Sequence, residues 1–256
     1  MYADMLENAG VPVTRKMNLG ASDLAQEALL KGGASDGIDL YPEYTSTGLT
    51  DILKQQPIYD PPAVYAAVKQ QYEQQFKLTW LDESPMNDTQ AFVTTKDVSD
   101  SMGIKSIADM CAKAGQLRIS TTPEFKDRPD AYPRLVQVYG DCNFKEMKSM
   151  DASLFYPTLM NKDVDVTQAF STDGPIAGDG LVLLADPKNY GLPYNVAPVV
   201  RDDVLAMYPQ IADALNKLAP KLTNDVISGL NWQVDGQKKE YTDVAKQFLK
   251  DQGLIK

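Results

Sequence analysis

A chain of 256 residues, 43% of them hydrophobic and 23% charged, has the length to bury one or two cores. It has no apolar run of the ~18 residues that span a bilayer. Its net charge of −10 lacks the basic footprint of a nucleic-acid or anionic-membrane binder. It contains no histidine, which removes Ser-His-Asp and Cys-His chemistry and most zinc and haem sites. Carboxylate or lysine chemistry remains open.

In chain order, a helix over 1–9 is stopped by Gly10 in a left-handed conformation. Val11 and Val13 alternate with polar neighbours as a short strand. Ser22 is placed to cap a helix over 23–31, stopped by Gly32 and Gly33. Ile38 and Leu40 predict the next strand, which delivers Tyr41-Pro42-Glu43-Tyr44-Thr45-Ser46-Thr47-Gly48 as a loop. This helix, strand, helix, strand order predicts a parallel α/β sheet. A start directly on a helix, with no basic n-region or apolar h-region, predicts a natural N-terminus upstream of residue 1.

Asp60 and Pro61 begin a long helix whose Val64, Val68, Tyr72 and Phe76 share one packing face. A strand over 78–81 and a polar loop over 82–89 lead to β-rich residues 91–95, where a crossing between lobes is expected. Ser106 and Asp109 have capping-box spacing. A strand through Leu117 and Ile119 ends in a hydroxyl-rich turn, 120–130, that offers backbone N–H groups and Arg128 to an anion. The alternative for Arg128 is a surface pair with Asp127 or Asp130. Then follow a helix through Leu135, Val138 and Tyr139, a helix over 153–160, a strand over 164–169 and an apolar run, 181–185, read as a central strand. A tight aromatic loop over 190–194 precedes a strand over 196–200. Helical segments over 204–207, 211–218, 226–230 and 241–252 complete the chain. Cys111 and Cys142 fit either one disulfide or two buried thiols.

One pattern occurs twice. Asp39-Leu40-Tyr41-Pro42-Glu43-Tyr44-Thr45-Ser46-Thr47-Gly48 and Asp165-Val166-Thr167-Gln168-Ala169-Phe170-Ser171-Thr172-Asp173-Gly174 each run from Asp and an aliphatic residue to an aromatic, two hydroxyls and a Gly. Two matching strand ends, one in each half, suggest two lobes offering a ring to one ligand. The rings at predicted strand ends are Tyr41, Tyr44, Phe170 and Tyr194. Converging π faces hold a quaternary ammonium, which has no N–H to donate. Tyr41, beside Pro42, is assigned to packing.

The stretch 39–48, Glu124-Phe125-x-x-Arg128, Phe170-x-Thr172-Asp173-Gly174 and Tyr194-x-x-Ala197-Pro198-Val199-Val200 occur in this order. Together they resemble the osmoprotectant-binding proteins of ABC importers, the glycine betaine, choline and carnitine receptors of the type II periplasmic-binding-protein class. The resemblance implies an α/β Venus-flytrap fold with lobe I formed by 1–92 plus 176–256, lobe II by 93–175, and a ligand cleft between them. It places Tyr44, Phe170 and Tyr194 on the aromatic box, and Thr47 and Arg128 at the ligand carboxylate. It implies an extracytoplasmic location (periplasmic, or extracellular and membrane-tethered), which favours a Cys111–Cys142 disulfide. It further implies a membrane permease as partner, a monomer, and no cofactor, metal or catalytic residue. Two departures stand out. Gln90 occupies a position that is usually aromatic, and the family's first strand would precede residue 1.

The leading expectation is a receptor for a betaine- or choline-like compound. The alternative within the same class is a non-quaternary amine or amino-acid-like ligand, with Gln90 as a hydrogen-bonding wall. The remote alternative is an enzyme using Asp173, Glu43 or a Lys as base. The sequence shows no paired carboxylates at diagnostic spacing, no phosphate loop and no metal cluster.

Overall fold

The computed structural model describes residues 1–256, side chains included at every position but Ala34. Its eight strands are β1 (Leu40–Tyr44), β2 (Leu78–Trp80), β3 (Gln90–Thr94), β4 (Arg118–Thr121), β5 (Glu146–Ser149), β6 (Val166–Phe170), β7 (Val182–Leu183) and β8 (Val196–Arg201). The chain forms two compact units. One comprises Met1–Asn87, Pro193–Leu230 and Lys238–Lys256; the other comprises Asp88–Leu192 and Asn231–Gln237.

The first unit holds the sheet β1-β8-β2, in which both pairings are antiparallel. Side chains alternate across a strand, and β8 shows it clearly. Ala197 and Val199 face a core with Leu29, Val64, Val68, Tyr72 and Trp80, whereas Val196 and Val200 face one with Met5, Leu6, Leu215 and Leu218. Helix Pro61–Phe76 covers the former face through the spacing-by-four of Val64, Val68 and Tyr72. It is capped by Asp60, whose carboxylate accepts the Ala63 N–H at 3.1 Å. Helices Tyr2–Asn8, Gln210–Leu218 and Tyr241–Asp251 supply the other core.

The second unit holds the mixed sheet β5-β4-β6-β3-β7. Pairs β4–β5 and β4–β6 are parallel, and β3–β6 and β3–β7 antiparallel. Phe92 and Val93 of β3 enter separate cores on its two faces. The capping box is formed: Ser106 Oγ accepts the Asp109 N–H, and the Asp109 carboxylate accepts the Ser106 N–H. Cys111 and Cys142 are joined by a disulfide within the larger core, their Cα atoms 4.3 Å apart.

Several expectations are corrected. The parallel reading fails in the first unit because β1 takes its neighbour, β8, from the distant end of the chain, and local helix–strand rhythm carries no information about that partner. Val11 and Val13 form no strand; Val11 instead packs into the core beside Leu6. Ser22 is the first residue of its helix rather than the cap, and its hydroxyl donates to buried Glu43 at 3.4 Å. The run 181–185 yields only a two-residue strand, Val182–Leu183, at the sheet edge rather than its centre, with Ala185 in an isolated bridge to Ser106. The unit boundaries fall at 87/88 and 192/193, not at 92/93 and 175/176, because β3 and β7 are both strands of the second sheet. Residues 231–237 also belong to the second unit.

Candidate functional site

In the first unit the repeated motif is the strand end itself rather than a loop beyond it. β1 terminates at Tyr44, and residues 45–52 then turn at once into helix, first Thr45–Thr47 and then the wider turn Gly48–Ile52. Gly48 is required by close approach: a Cβ there would lie 2.8 Å from Trp80 Cζ2. The two motif hydroxyls are structural. Thr45 Oγ1 and Ser46 Oγ both donate to the Pro193 carbonyl, at 2.9 and 2.7 Å, and the Thr45 N–H donates to the Asn195 carbonyl at 2.9 Å. These bonds fix residues 193–195 against the strand end. The Tyr194 N–H is also held, donating to Asn87 Oδ1 at 2.7 Å. The half-buried rings of Tyr44 and Tyr194 consequently meet edge to face, centroids 6.2 Å apart and planes at 83°. Half-buried Thr47 lies one turn along the same helix.

Beneath Tyr44 sits Glu43, 1% exposed. Its carboxylate accepts the Tyr44 N–H at 2.7 Å and the Tyr41 hydroxyl at 2.9 Å. Burial pushes its pKa up, opposed by those hydrogen bonds. Tyr41 is a core residue, 7% exposed, as its packing assignment requires.

In the second unit β6 ends at Phe170, which is 51% exposed. Its N–H donates to the Asp173 carboxylate at 2.9 Å, and the same oxygen accepts the Tyr156 hydroxyl at 2.5 Å. Burial raises the Asp173 pKa against these bonds. Here too the motif hydroxyls are structural: Ser171 Oγ accepts the Thr89 N–H at 3.0 Å, and Thr172 Oγ1 donates to Asp88. Phe170 is registered directly opposite Gln90 across the β3–β6 pair, so the two side chains share a face.

Gln90 leads to Arg128. Its Nε2 donates to Asp130 Oδ2 at 3.4 Å, and Asp130 takes Arg128 as a fork, Nε to Oδ1 at 2.6 Å and Nη2 to Oδ2 at 2.8 Å. The Asp130 pairing that the sequence left as one option for Arg128 is therefore present. Gln90 Oε1 accepts the buried Tyr190 hydroxyl at 3.3 Å. Tyr190 read only as part of a tight aromatic loop, and nothing in its spacing announced this contact. The six candidates thus sort into Tyr44, Thr47 and Tyr194 in one unit and Gln90, Arg128 and Phe170 in the other.

Comparison with known proteins adds to this geometry. Residues 1–251 match the family described as the substrate binding domain of the ABC-type glycine betaine transport system. The chain belongs to this family. Among its relatives is the carnitine transport binding protein OpuCC of Listeria monocytogenes, 31% identical over 94% of this chain and 78% of that one. Another is the glycine betaine-binding protein YehZ of Escherichia coli, 30% identical over 98% of this chain and 85% of that one. The solved apo YehZ structure superposes with a TM-score of 0.89 at 28% identity, covering 99% of this chain and 93% of that chain. A solved glycine betaine/carnitine/choline ABC transporter protein gives 0.86 at 30% identity, covering 93% and 86%. This glycine betaine-type substrate-binding domain therefore has the two-unit α/β binding-protein fold, and its class is that of ABC-importer solute receptors.

Proposed function

We propose that the chain captures a quaternary-ammonium osmoprotectant of the betaine, carnitine or choline kind outside the cytoplasm and hands it to a membrane permease. In this reading Tyr44 and Tyr194 of the first unit, together with Phe170 of the second, receive the trimethylammonium group. Thr47 and Arg128 receive the carboxylate where the ligand has one. The observation that carries the reading is the edge-to-face Tyr44–Tyr194 pair, held by its hydroxyl and amide anchors at a strand end. A π face attracts a cation without needing a donor from it, at about 0.5–2 kcal/mol per ring depending on desolvation. Arg128 presents a planar fork suited to a carboxylate. Because Asp130 already occupies one edge of that fork, a ligand carboxylate exchanges with it or adds beside it. The names of the relatives support the ligand class. Their class supports an extracytoplasmic location and a permease partner.

The reading with a non-quaternary ligand asks Gln90 to serve as a hydrogen-bonding wall. Both ends of its amide are engaged within the protein, by Asp130 and Tyr190, which favours the quaternary reading.

Titration calorimetry with glycine betaine, carnitine, proline betaine and choline tests the proposal. Binding by at least one is expected, and Arg128→Ala should weaken the carboxylate-bearing ligands more than choline. Silence from all four at millimolar concentration defeats it.

A further inference from the structure

Both repeats end in a glycine, and the chain has two tryptophans. Each tryptophan lies against one of those glycines. In the first unit fully buried Trp80 meets Gly48, as described above. In the second unit a Cβ at Gly174 would lie 2.9 Å from the Trp232 backbone nitrogen and 3.1 Å from the Asn231 carbonyl carbon. One turn further along helix Gly174–Gly178, a Cβ at Gly178 would collide with the fused bond of the Trp232 indole. Asn231 adds a hydrogen bond, its Nδ2 donating to the Thr172 carbonyl at 2.9 Å. Both residues belong to helix Asn224–Asp235, in the stretch 231–237 that forms part of the second unit.

The two tryptophans support different things. Trp80 belongs to a closed core with Tyr41, Leu49 and Tyr72, and the Tyr44 ring is already braced by Tyr194. Phe170 is 51% exposed, so core packing does not fix its ring. Its direction depends on the turn that carries it. That turn is closed by the Phe170 N–H on Asp173 at 2.9 Å and the Asp173 N–H on the Phe170 carbonyl at 3.0 Å. The Ser171 N–H ties it to the Thr89 carbonyl at 3.0 Å. Asn231 and Trp232 back the same turn at Thr172 and Gly174.

We propose that Trp232 is a positioning residue for ligand binding: seated on Gly174 and Gly178, it sets the direction in which the second repeat presents Phe170. A binding group keeps its geometry only when the groups behind it are themselves locked. The flat indole can come this close only where no Cβ intervenes, so the glycine that ends the repeat serves the tryptophan rather than the ligand. The effect on affinity rests on the quaternary-ammonium reading above, whereas the effect on the turn does not. Because Trp232 acts through Phe170, its loss should weaken binding about as much as loss of the Phe170 ring itself, ~2- to 5-fold for an exposed ring.

Hydrogen exchange of the ligand-free full chain, read by amide NMR, tests the placement. Trp232→Ala should speed exchange at Phe170, Ser171 and Asp173 by about tenfold or more, as a local opening does. The Thr45 and Ser46 amides of the first repeat, bonded to the Asn195 and Pro193 carbonyls, should exchange as in the parent. Trp232→Phe, which keeps a flat ring on Gly178, should restore most of the protection. If Trp232→Ala does not fold, Asn231→Ala removes only the bond to Thr172 and should speed the same amides by a smaller factor. Calorimetry with the quaternary ligand that the parent binds best supplies the second arm. Trp232→Ala should weaken it ~2- to 5-fold, and adding Trp232→Ala to Phe170→Ala should weaken it no further. A tryptophan that only adds stability would show no such coupling to Phe170. Unchanged exchange across 170–173, or affinity losses that add in full, overturn the proposal. The exchange arm needs no ligand, so it decides the positioning role even where calorimetry of the parent is silent.

Discussion

Tyr44 and Phe170 each close a five-residue strand that begins one residue after an Asp, yet Tyr44 is half-buried against Tyr194 whereas Phe170 is 51% exposed. The parts they share are structural. Each leading Asp is anchored, Asp39 by the Gly33 N–H at 2.8 Å and Asp165 by Arg118 at 2.7 Å. Each hydroxyl pair binds a chain segment beside a unit boundary, Thr45 and Ser46 to Pro193, Ser171 and Thr172 to Asp88 and Thr89. Each aromatic residue donates its own N–H to a raised-pKa carboxylate, Glu43 in one case and Asp173 in the other. What differs is how far the ring is pre-organised. The repeated grammar therefore encodes a way of ending a strand, and ring burial is set by what each unit packs around it.

The deepest difference lies under the rings, and it predicts the largest effect. Glu43 is 1% exposed and accepts from Ser22, Tyr41 and the Tyr44 N–H, so Glu43→Ala removes the acceptor of all three and leaves the Tyr41 hydroxyl with only Gln26 Oε1 at 3.3 Å. A stability loss of about 2–4 kcal/mol is expected from urea denaturation. Asp173 is only half-buried, and Asp173→Ala should cost about 1–2 kcal/mol. An equal or larger loss at Asp173 would erase the contrast between the two strand ends.

Ring truncation comes next in size. Tyr44→Ala should weaken binding of the best quaternary ligand by about 10- to 30-fold, the upper range for a partly desolvated ring. Phe170→Ala should weaken it by only about 2- to 5-fold and leave stability within about 0.5 kcal/mol, because an exposed ring contributes little to the core. Calorimetry reads the first effect and denaturation the second. The reverse ranking would mean that Phe170, not Tyr44, is the dominant wall.

Much of this contrast was legible in the sequence. The echo located both strand ends and their rings, and the spacing-by-four of Val64, Val68 and Tyr72 gave the packing face of the long helix. Local chemistry reads well because capping and periodicity act over three or four residues: Asp60 and the Ser106–Asp109 box both form. What stayed hidden depends on partners far along the chain. The antiparallel β1–β8 pairing joins residues near 40 to residues near 200, and nothing local to either strand encodes it. Ser22 looked like a cap because its distant partner, Glu43, left no mark in the neighbouring residues. The acceptor shared by Thr45 and Ser46, the Pro193 carbonyl, is equally distant in sequence and left no local mark.

The smallest effect separates the units by pH. Burial lifts Glu83, in the unit of Tyr44, to about 7 from an ordinary 4.5, and it also raises Asp173 in the unit of Phe170. A carboxyl whose folded pKa is raised binds its proton more tightly in the folded state. Its contribution is then fully present below the unfolded pKa and is lost as pH rises through the folded one. For Glu83 that window runs from about 4.5 to about 7. Its charged neighbour is Asp82, and Tyr65, pushed up to about 12 by burial and by those two carboxylates, stays protonated throughout the window. Glu83→Gln cannot ionise, so its urea midpoint relative to the parent should rise steadily from pH 5 to pH 8, while Asp173→Asn reports the other unit separately. Glu83 is only partly buried, so solvent screening keeps the shift small. A parent-minus-variant difference that does not change across the window would show that Glu83 titrates as an ordinary surface carboxyl.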